Sequence, residues 1–470
     1  MDRVLESIAP YLTRQAAMAA VCAYPLYQLI YALFPGDFMA RFNKMVFWKN
    51  KFAGNESEYI LRNYRQYGNI FLVGPRKIAL CDPSDCRAVL STHAFRKDKD
   101  YEHVTFIEPN LVTSVDPEAN KQRRRQVGPT FNPASLRKMQ PKILECGILP
   151  VIEHYYNTYM LMTFDVISVL AFGRYFDALR SGNRQLINWI EKSMALLVSE
   201  MIFPGYKIRR SVDELIAFGK SVIDERKQKV REGIEPPADI LQSFIDAEDP
   251  ESKIKMTPSE VVSESIVTII AGTDTTSSSL CWTTHLMLLH PVWYKRVKEE
   301  VRAAFDRDHI ITYEEAKAQL PLMEACVYES MRIRPVAGNV ARVVPQGGAT
   351  FQGHFIPEGY SADRMNADVW ENPHVFNPDR FLANPEMKQQ LLTFSAGVRV
   401  CPGKHLAYVE IFVTLANLIS RFNFELPEDS LFGPEVLGED GEPVIMPRKH
   451  TLLSHPRFPE RDCNIVITKR

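Results

Sequence analysis

Cysteine is sparse here and never clustered. Cys22, Cys81, Cys86, Cys146, Cys281, Cys326, Cys401 and Cys463 are scattered, with no Cys-x-x-Cys pair among them. That excludes a zinc framework and a dithiol redox motif, both of which need neighbouring thiols. Net charge is also missing: 56 basic and 57 acidic residues leave a formal -1. No global field draws such a chain to nucleic acid, and no nucleic-acid partner is expected. There are only 22 glycines against 31 prolines, and no repeat or low-complexity linker follows residue 50, so a solenoid is excluded. No glycine-rich segment has the pattern that holds a flavin or nicotinamide dinucleotide. Any electrons the protein uses must come from a partner.

Long apolar runs are scarce too, and the candidate stands near the start. Ala16 to Phe34 is mostly apolar, interrupted by Tyr24, Pro25, Tyr27, Gln28 and Tyr31. Nineteen helical residues would reach ~28 Å, close to the hydrocarbon thickness of a bilayer. Arg3 and Arg14 precede the run, whereas Arg41, Lys44, Lys49 and Lys51 follow it. The positive-inside bias then leaves the bulk of the chain in the cytosol. Residues 1–50 are therefore expected to be a single-pass anchor and linker, and residues 51–470 one catalytic domain. At 46% apolar and 24% charged, the domain has the composition of a globular fold with a sizeable core.

The organisation is mainly helical, with small β-sheets. Ile70–Val73 and Lys77–Leu80 flank Gly74-Pro75-Arg76 and predict a β-hairpin. Thr163–Phe172 predicts a core helix carrying one acid, Asp165. Thr257-Pro258-Ser259-Glu260 is a capping-box start, and an apolar helix can run from there to about His290. Short strands and prolines then lead to a last helix, Leu406–Ile419.

The strongest chemical signal is the run Phe394 to Gly403. Two glycines and a proline bracket one cysteine, directly before an apolar helix. Glycines let backbone turn tightly about the sulfur, and N–H groups at the helix start favour a thiolate. Arg399, two residues earlier, can reach an anion beside a metal held by Cys401. A second signal is Glu329 and Arg332, three residues apart on one helix face, a spacing that is usually a solvated bridge. A third is Ala271-Gly272-Thr273-Asp274-Thr275-Thr276, where glycine and β-branched hydroxyl residues weaken a helix that packing alone would keep apolar. On a helix, Glu264, Thr268, Ala271 and Thr275 share one side. The Asp274 carboxyl and Thr275 hydroxyl are placed to relay protons.

These residues together resemble the cytochrome P-450 family of haem-thiolate monooxygenases over nearly the whole chain. The family's loop Phe-x-x-Gly-x-Arg-x-Cys-x-Gly is matched by Phe394, Gly397, Arg399, Cys401 and Gly403. The resemblance implies haem b, with Cys401 as axial metal ligand, Arg399 on a propionate and Phe394 shielding the sulfur. It makes Ala271 and Gly272 the place where the haem meets the long helix, with Asp274 and Thr275 catalytic. It makes Glu329, Arg332 and the later Arg380 a structural network. Arg124 fits a propionate contact, although Asn120 stands where the family carries Trp or His. Arg342 resembles a further propionate contact. The implied reaction puts one atom of dioxygen into a small, lipophilic organic substrate, with pocket residues near 100–115, 195–205 and 336–341. Electrons would come from a membrane-bound flavoprotein reductase, at the endoplasmic reticulum membrane. The rivals are a haem-binding protein without oxygenase activity and a haem-thiolate isomerase or dehydratase, which often lacks the acid–threonine pair.

One place looks too short for that resemblance. Only Tyr360 to Asp363 separate Gly359 from Arg364-Met365-Asn366, where the family calls for a longer stretch holding a strand. Four extended residues reach at most ~14 Å. A truncated sheet is expected, and the region of Tyr155–Tyr159 also looks shortened.

Overall fold

The computed structural model describes residues 35–470 apart from 38, 42–44, 106, 148–154, 183–187, 189–209, 338–339, 365–369 and 451–452. The Ala16–Phe34 segment lies outside the described residues, as does the stretch 195–205. Among the described residues no helix is long and apolar enough to cross a membrane.

The hairpin forms where the two β-rich runs meet. Strands β1 (Ile70–Gly74) and β2 (Lys77–Leu80) pair antiparallel with Ile70 opposite Leu80 and Leu72 opposite Ile78. Arg76 takes a φ of 56° in the turn. With β3 (Arg96–Lys97), β4 (Val340–Val343) and β7 (Ser361–Arg364) they make a five-stranded sheet ordered β1-β2-β7-β4-β3. Strands β5 (Ala349–Phe351) and β6 (His354–Ile356) form a separate hairpin between β4 and β7.

The expected truncation of this sheet is corrected by β7. Ser361–Arg364 pairs parallel with Lys77–Leu80 on one side and antiparallel with Val340–Val343 on the other. The strand begins without wasted residues because the preceding turn is tied to the sheet. Gly359, at φ +80°, donates its N–H to Val344 O at 3.0 Å, and Tyr360 O accepts from Val344 N at 2.8 Å. The short segment is thus wholly used in pairing, and residues 365–369 lie outside the described residues.

Five helices frame the site. They are α1 (Pro117–Val127), α2 (Tyr155–Phe172), α3 (Pro258–Leu289), α4 (Pro321–Ile333) and α5 (Lys404–Arg421). Helix α3 begins with the capping box read from the sequence: Glu260 N–H bonds Thr257 Oγ1 at 3.3 Å and Thr257 N–H bonds Glu260 Oε2 at 2.7 Å. It threads the main core, where Trp282, Phe164, Phe172, Phe244 and Phe412 are almost wholly buried. Asp165 of α2 is fully buried because it caps the next short helix, accepting from Ala178 N and Leu179 N at 2.9 Å each. Beyond α5 the chain does not end as a helix. β8 (Phe422–Glu425) pairs with β11 (Val466–Lys469), and β9 (Arg448–His450) pairs with β10 (Ser454–Pro456).

Candidate functional site

The loop before α5 is shaped by its glycines. Gly397 sits at φ +54°, and a Cβ there would lie 2.6 Å from Ser91 Cα, so no other residue fits without movement. Cys401 N–H closes the loop on Phe394 O at 2.8 Å. Burial pushes the Cys401 thiol up, while N–H bonds from Gly403 and Lys404 and the charge of Arg124 pull it back. Those two N–H groups belong to the first turn of α5, so the sulfur sits at the positive end of a helix. Phe394 stacks edge-on against Tyr408 with ring centroids 5.0 Å apart, covering the loop from the α5 side.

The middle of α3 faces the same space. A cavity of about 360 Å³ is lined by Glu264, Thr268, Ala271, Gly272 and Thr275 on α3 and by Phe394, Arg399, Cys401 and Gly403 on the loop. The shared helix side read from the sequence is therefore a cavity wall. The Thr275 hydroxyl donates to Ala271 O at 2.6 Å, and Ser279 and Thr283 repeat this bond one turn and two turns later. Such back-bonding loosens the helix ladder and keeps polar oxygen at the wall. Gly272 also lets α3 lie close to α2, because a Cβ there would stand 2.8 Å from Ile167 Cγ1.

Asp274 does not line the cavity. Its carboxylate receives no hydrogen bond among the described residues, and burial pushes it up to about 6. It stands one residue from Thr275 as a carboxyl that exchanges protons near neutral pH, not as a fixed charge.

Cations ring the cavity. Arg124, Arg342 and Arg399 line it together with Lys97. Arg399 is 6% exposed, and burial, then Arg342 and Arg124, lower it to about 10. The Nε atoms of all three arginines are buried with no partner, and none of the three forms an ion pair among the described residues. Burying unpaired guanidinium donors is costly unless an anion completes them. The Lys97 ammonium, lowered by burial and by the three arginines, bonds Leu111 O at 2.7 Å and Val112 O at 2.8 Å. A haem fits this donor set: its iron would meet the Cys401 sulfur, and its carboxylates the orphaned guanidinium donors.

Glu329, Arg332 and Arg380 come together behind the site. Glu329 is fully buried and accepts from Arg332 Nε at 2.7 Å, from Arg380 Nε at 3.0 Å and from Asn377 N at 2.8 Å. Arg332 passes on to Pro373 O and Val375 O, so the network ties α4 to the segment that leads toward the cysteine loop. None of these three residues lines the cavity.

Several residues at the site carry no local sequence signal. Lys97 is the cross-strand partner of Arg342 in β3 and β4, a pairing that no single segment spells out. Tyr101 enters from a short 3-10 helix, Lys99–Val104, and Leu111 from a turn beyond it. Glu410 lines the cavity from α5, buried and pushed well up by burial. Of the expected pocket stretches, Tyr101, Leu111 and Val112, and Val336, Ala337 and Val340, do line it.

Comparison with known proteins places this architecture. The cytochrome P450 family model matches residues 39–449. Cytochrome P450 monooxygenase helB1 of Aspergillus fumigatus is 38% identical, over 100% of this chain and 89% of its own. That alignment runs over 518 positions against 470 residues here, so the relative carries residues with no counterpart in this chain. Cytochrome P450 monooxygenase helB2 of the same fungus is 36% identical, over 96% of this chain and 98% of its own. The crystal structure of the cytochrome P450DA heme domain superposes with a TM-score of 0.78 at 18% identity, covering 93% of this chain and 98% of that one.

Proposed function

Since this chain belongs to the cytochrome P450 family and is a cytochrome P450 monooxygenase, we propose that it oxidises a lipophilic small molecule at the α3–Cys401 cavity with electrons from a membrane-bound flavoprotein reductase. The carrying observation is that one cavity has the Thr275 face of α3 and the Cys401 loop among its walls, together with three arginines whose buried Nε atoms have no partner. When bound, the haem supplies dioxygen activation, and a thiolate ligand favours O–O cleavage.

The chain's own residues divide the remaining work. Cys401 offers sulfur held by two backbone N–H groups. Arg399, Arg342 and Lys97 orient the carboxylates of the group. Phe394 and Tyr408 exclude water from the sulfur side. Asp274 takes up and releases a proton around pH 6, and the Thr275 hydroxyl passes one at the cavity wall. The apolar remainder of the lining, with Val127, Phe131, Ile167 and Val336, favours a substrate poor in charge.

The segment Ala16–Phe34 supports attachment to the endoplasmic reticulum membrane with residues 51–470 in the cytosol. Protease added to sealed microsomes should then digest the large domain; full protection would reverse the topology.

The test of the main reading is the absorption spectrum of the reduced, CO-bound protein. A thiolate-type Soret band is expected, and Cys401→Ala should abolish it. Persistence of the band in that variant would remove Cys401 from the iron.

A further inference from the structure

Asn120 of α1 is 1% exposed and engages both ends of its amide within the protein. Its Oδ1 accepts from Arg399 Nη1 at 2.7 Å, and its Nδ2 donates to Leu111 O at 3.0 Å. Leu111 is a node. The same carbonyl accepts Lys97 Nζ at 2.7 Å, while its N–H donates to Glu264 Oε1 at 2.7 Å, and its side chain lines the cavity. One peptide group thus joins Arg399, from the cysteine loop, to Lys97, from the sheet.

We infer that Asn120 is a positioning residue that aims Arg399 and, through the Leu111 peptide, holds it in register with Lys97 against the carboxylates of the bound haem. This rests on the haem-thiolate reading above. The chemistry selects an amide at this place. A neutral acceptor orients a buried guanidinium yet leaves its charge uncancelled. An aspartate would cancel that charge, and an apolar residue would orphan a second nitrogen of Arg399, whose Nε already lacks a partner. An aromatic or histidine donor here would itself face the anion. In this chain that contact passes to Arg399 and Lys97.

The test uses full-length, haem-loaded protein. Haem loss is followed by transfer to apomyoglobin, and the midpoint potential of the substrate-free enzyme by spectroelectrochemistry. Asn120→Leu should speed haem loss about tenfold, the equivalent of one hydrogen bond to a charged group. Asn120→Asp should also speed loss and shift the potential negative, because its carboxylate offsets the Arg399 charge that disfavours ferric iron. In an Arg399→Gln background, Asn120→Leu should add less than about twofold to haem loss, since its target is gone. Additive effects in that background would overturn the inference. So would haem-loss rates within twofold of the parent in both single variants. If Asn120→Leu does not accumulate as folded protein, the potential of Asn120→Asp decides, and an unchanged value overturns it. A parent protein without the thiolate-type CO band would instead sink the haem-thiolate reading itself, so the two failures are distinguishable.

Discussion

Replacing Asp274 by asparagine should stabilise the protein, and the gain should depend on pH in a way fixed by the site. The carboxyl sits at about 6 in the folded chain because burial disfavours its charge. An unfolded aspartate titrates near ~3.9. The native state therefore binds more protons between those values, and stability falls as pH rises through that window. About two pKa units correspond to ~3 kcal/mol of cost, absent below about pH 4 and complete well above pH 6. Between pH 5 and pH 8 the part still to be lost is about one pKa unit, on the order of 1–2 kcal/mol. With an unfolding entropy of about 2 cal/mol/K per residue, a chain of 470 residues shifts its melting temperature by roughly 1 °C per kcal/mol. Thermal scans of the haem-loaded parent and Asp274→Asn at pH 5, 6, 7 and 8 check this. The melting temperature of the variant minus that of the parent should grow by about 1.5 °C from pH 5 to pH 8 and level off above pH 7. A flat difference would mean that Asp274 is ionised, or solvated, throughout. It would then be a fixed negative charge beside Thr275 and not a proton carrier.

Three other perturbations probe the rest of the site. Thr275→Ala should retain haem and substrate binding but lose reducing equivalents to peroxide, because the hydroxyl at the wall is gone; an unchanged ratio of product to nicotinamide consumed would refute its role. Glu329→Gln leaves Arg332 and Arg380 without their buried counter-charge and should cost about 3–5 kcal/mol, read as lost haem content and a lower melting temperature; a normal holoenzyme would show that the backbone carbonyls alone satisfy both arginines. Gly272→Ala gains about 1 kcal/mol of helix propensity but drives a methyl toward Ile167 Cγ1, for a net loss of about 1 kcal/mol from overpacking. That penalty should shrink in an Ile167→Ala background, and equal penalties in both backgrounds would place the strain elsewhere.

Which parts of the site are legible in the sequence follows from how far apart their determinants lie. The Cys401 loop is legible because ten consecutive residues carry the turn glycine, the thiol and the helix start. Helix α3 is legible because its cap and its polar interruption are both local. The Glu329–Arg332 pair is visible by spacing, but its burial and its third member depend on residues 377 and 380 folding back on α4. The cation ring is legible only arginine by arginine. Lys97 becomes a neighbour of Arg342 through an antiparallel register between strands almost 250 residues apart, and Leu111 becomes their anchor through a loop with no repeating pattern. The C-terminal strands are unreadable for a similar reason: Phe422–Glu425 finds its partner only at Val466–Lys469.

Strand β7 shows why counting length fails where register succeeds. Ser-Ala-Asp-Arg has no β-branched or aromatic residue, so its propensity for strand is poor. By reach alone, four residues seem unable both to pair and to turn. Yet both neighbouring ladders are set by other segments. Strand β2 is fixed by its hairpin with β1, and β4 follows α4 through Pro335. Strand β7 lies between the facing edges of β2 and β4, whose N–H and C=O groups favour any backbone that fits between them. The Gly359 turn delivers that backbone in phase, with Ser361 N already on Arg76 O at 2.8 Å. The positions missing relative to helB1 have thus not removed the strand beside the cavity. Its central place carries Arg342, through β4, to the site, which is why a segment of weak intrinsic preference still serves the chemistry at Cys401.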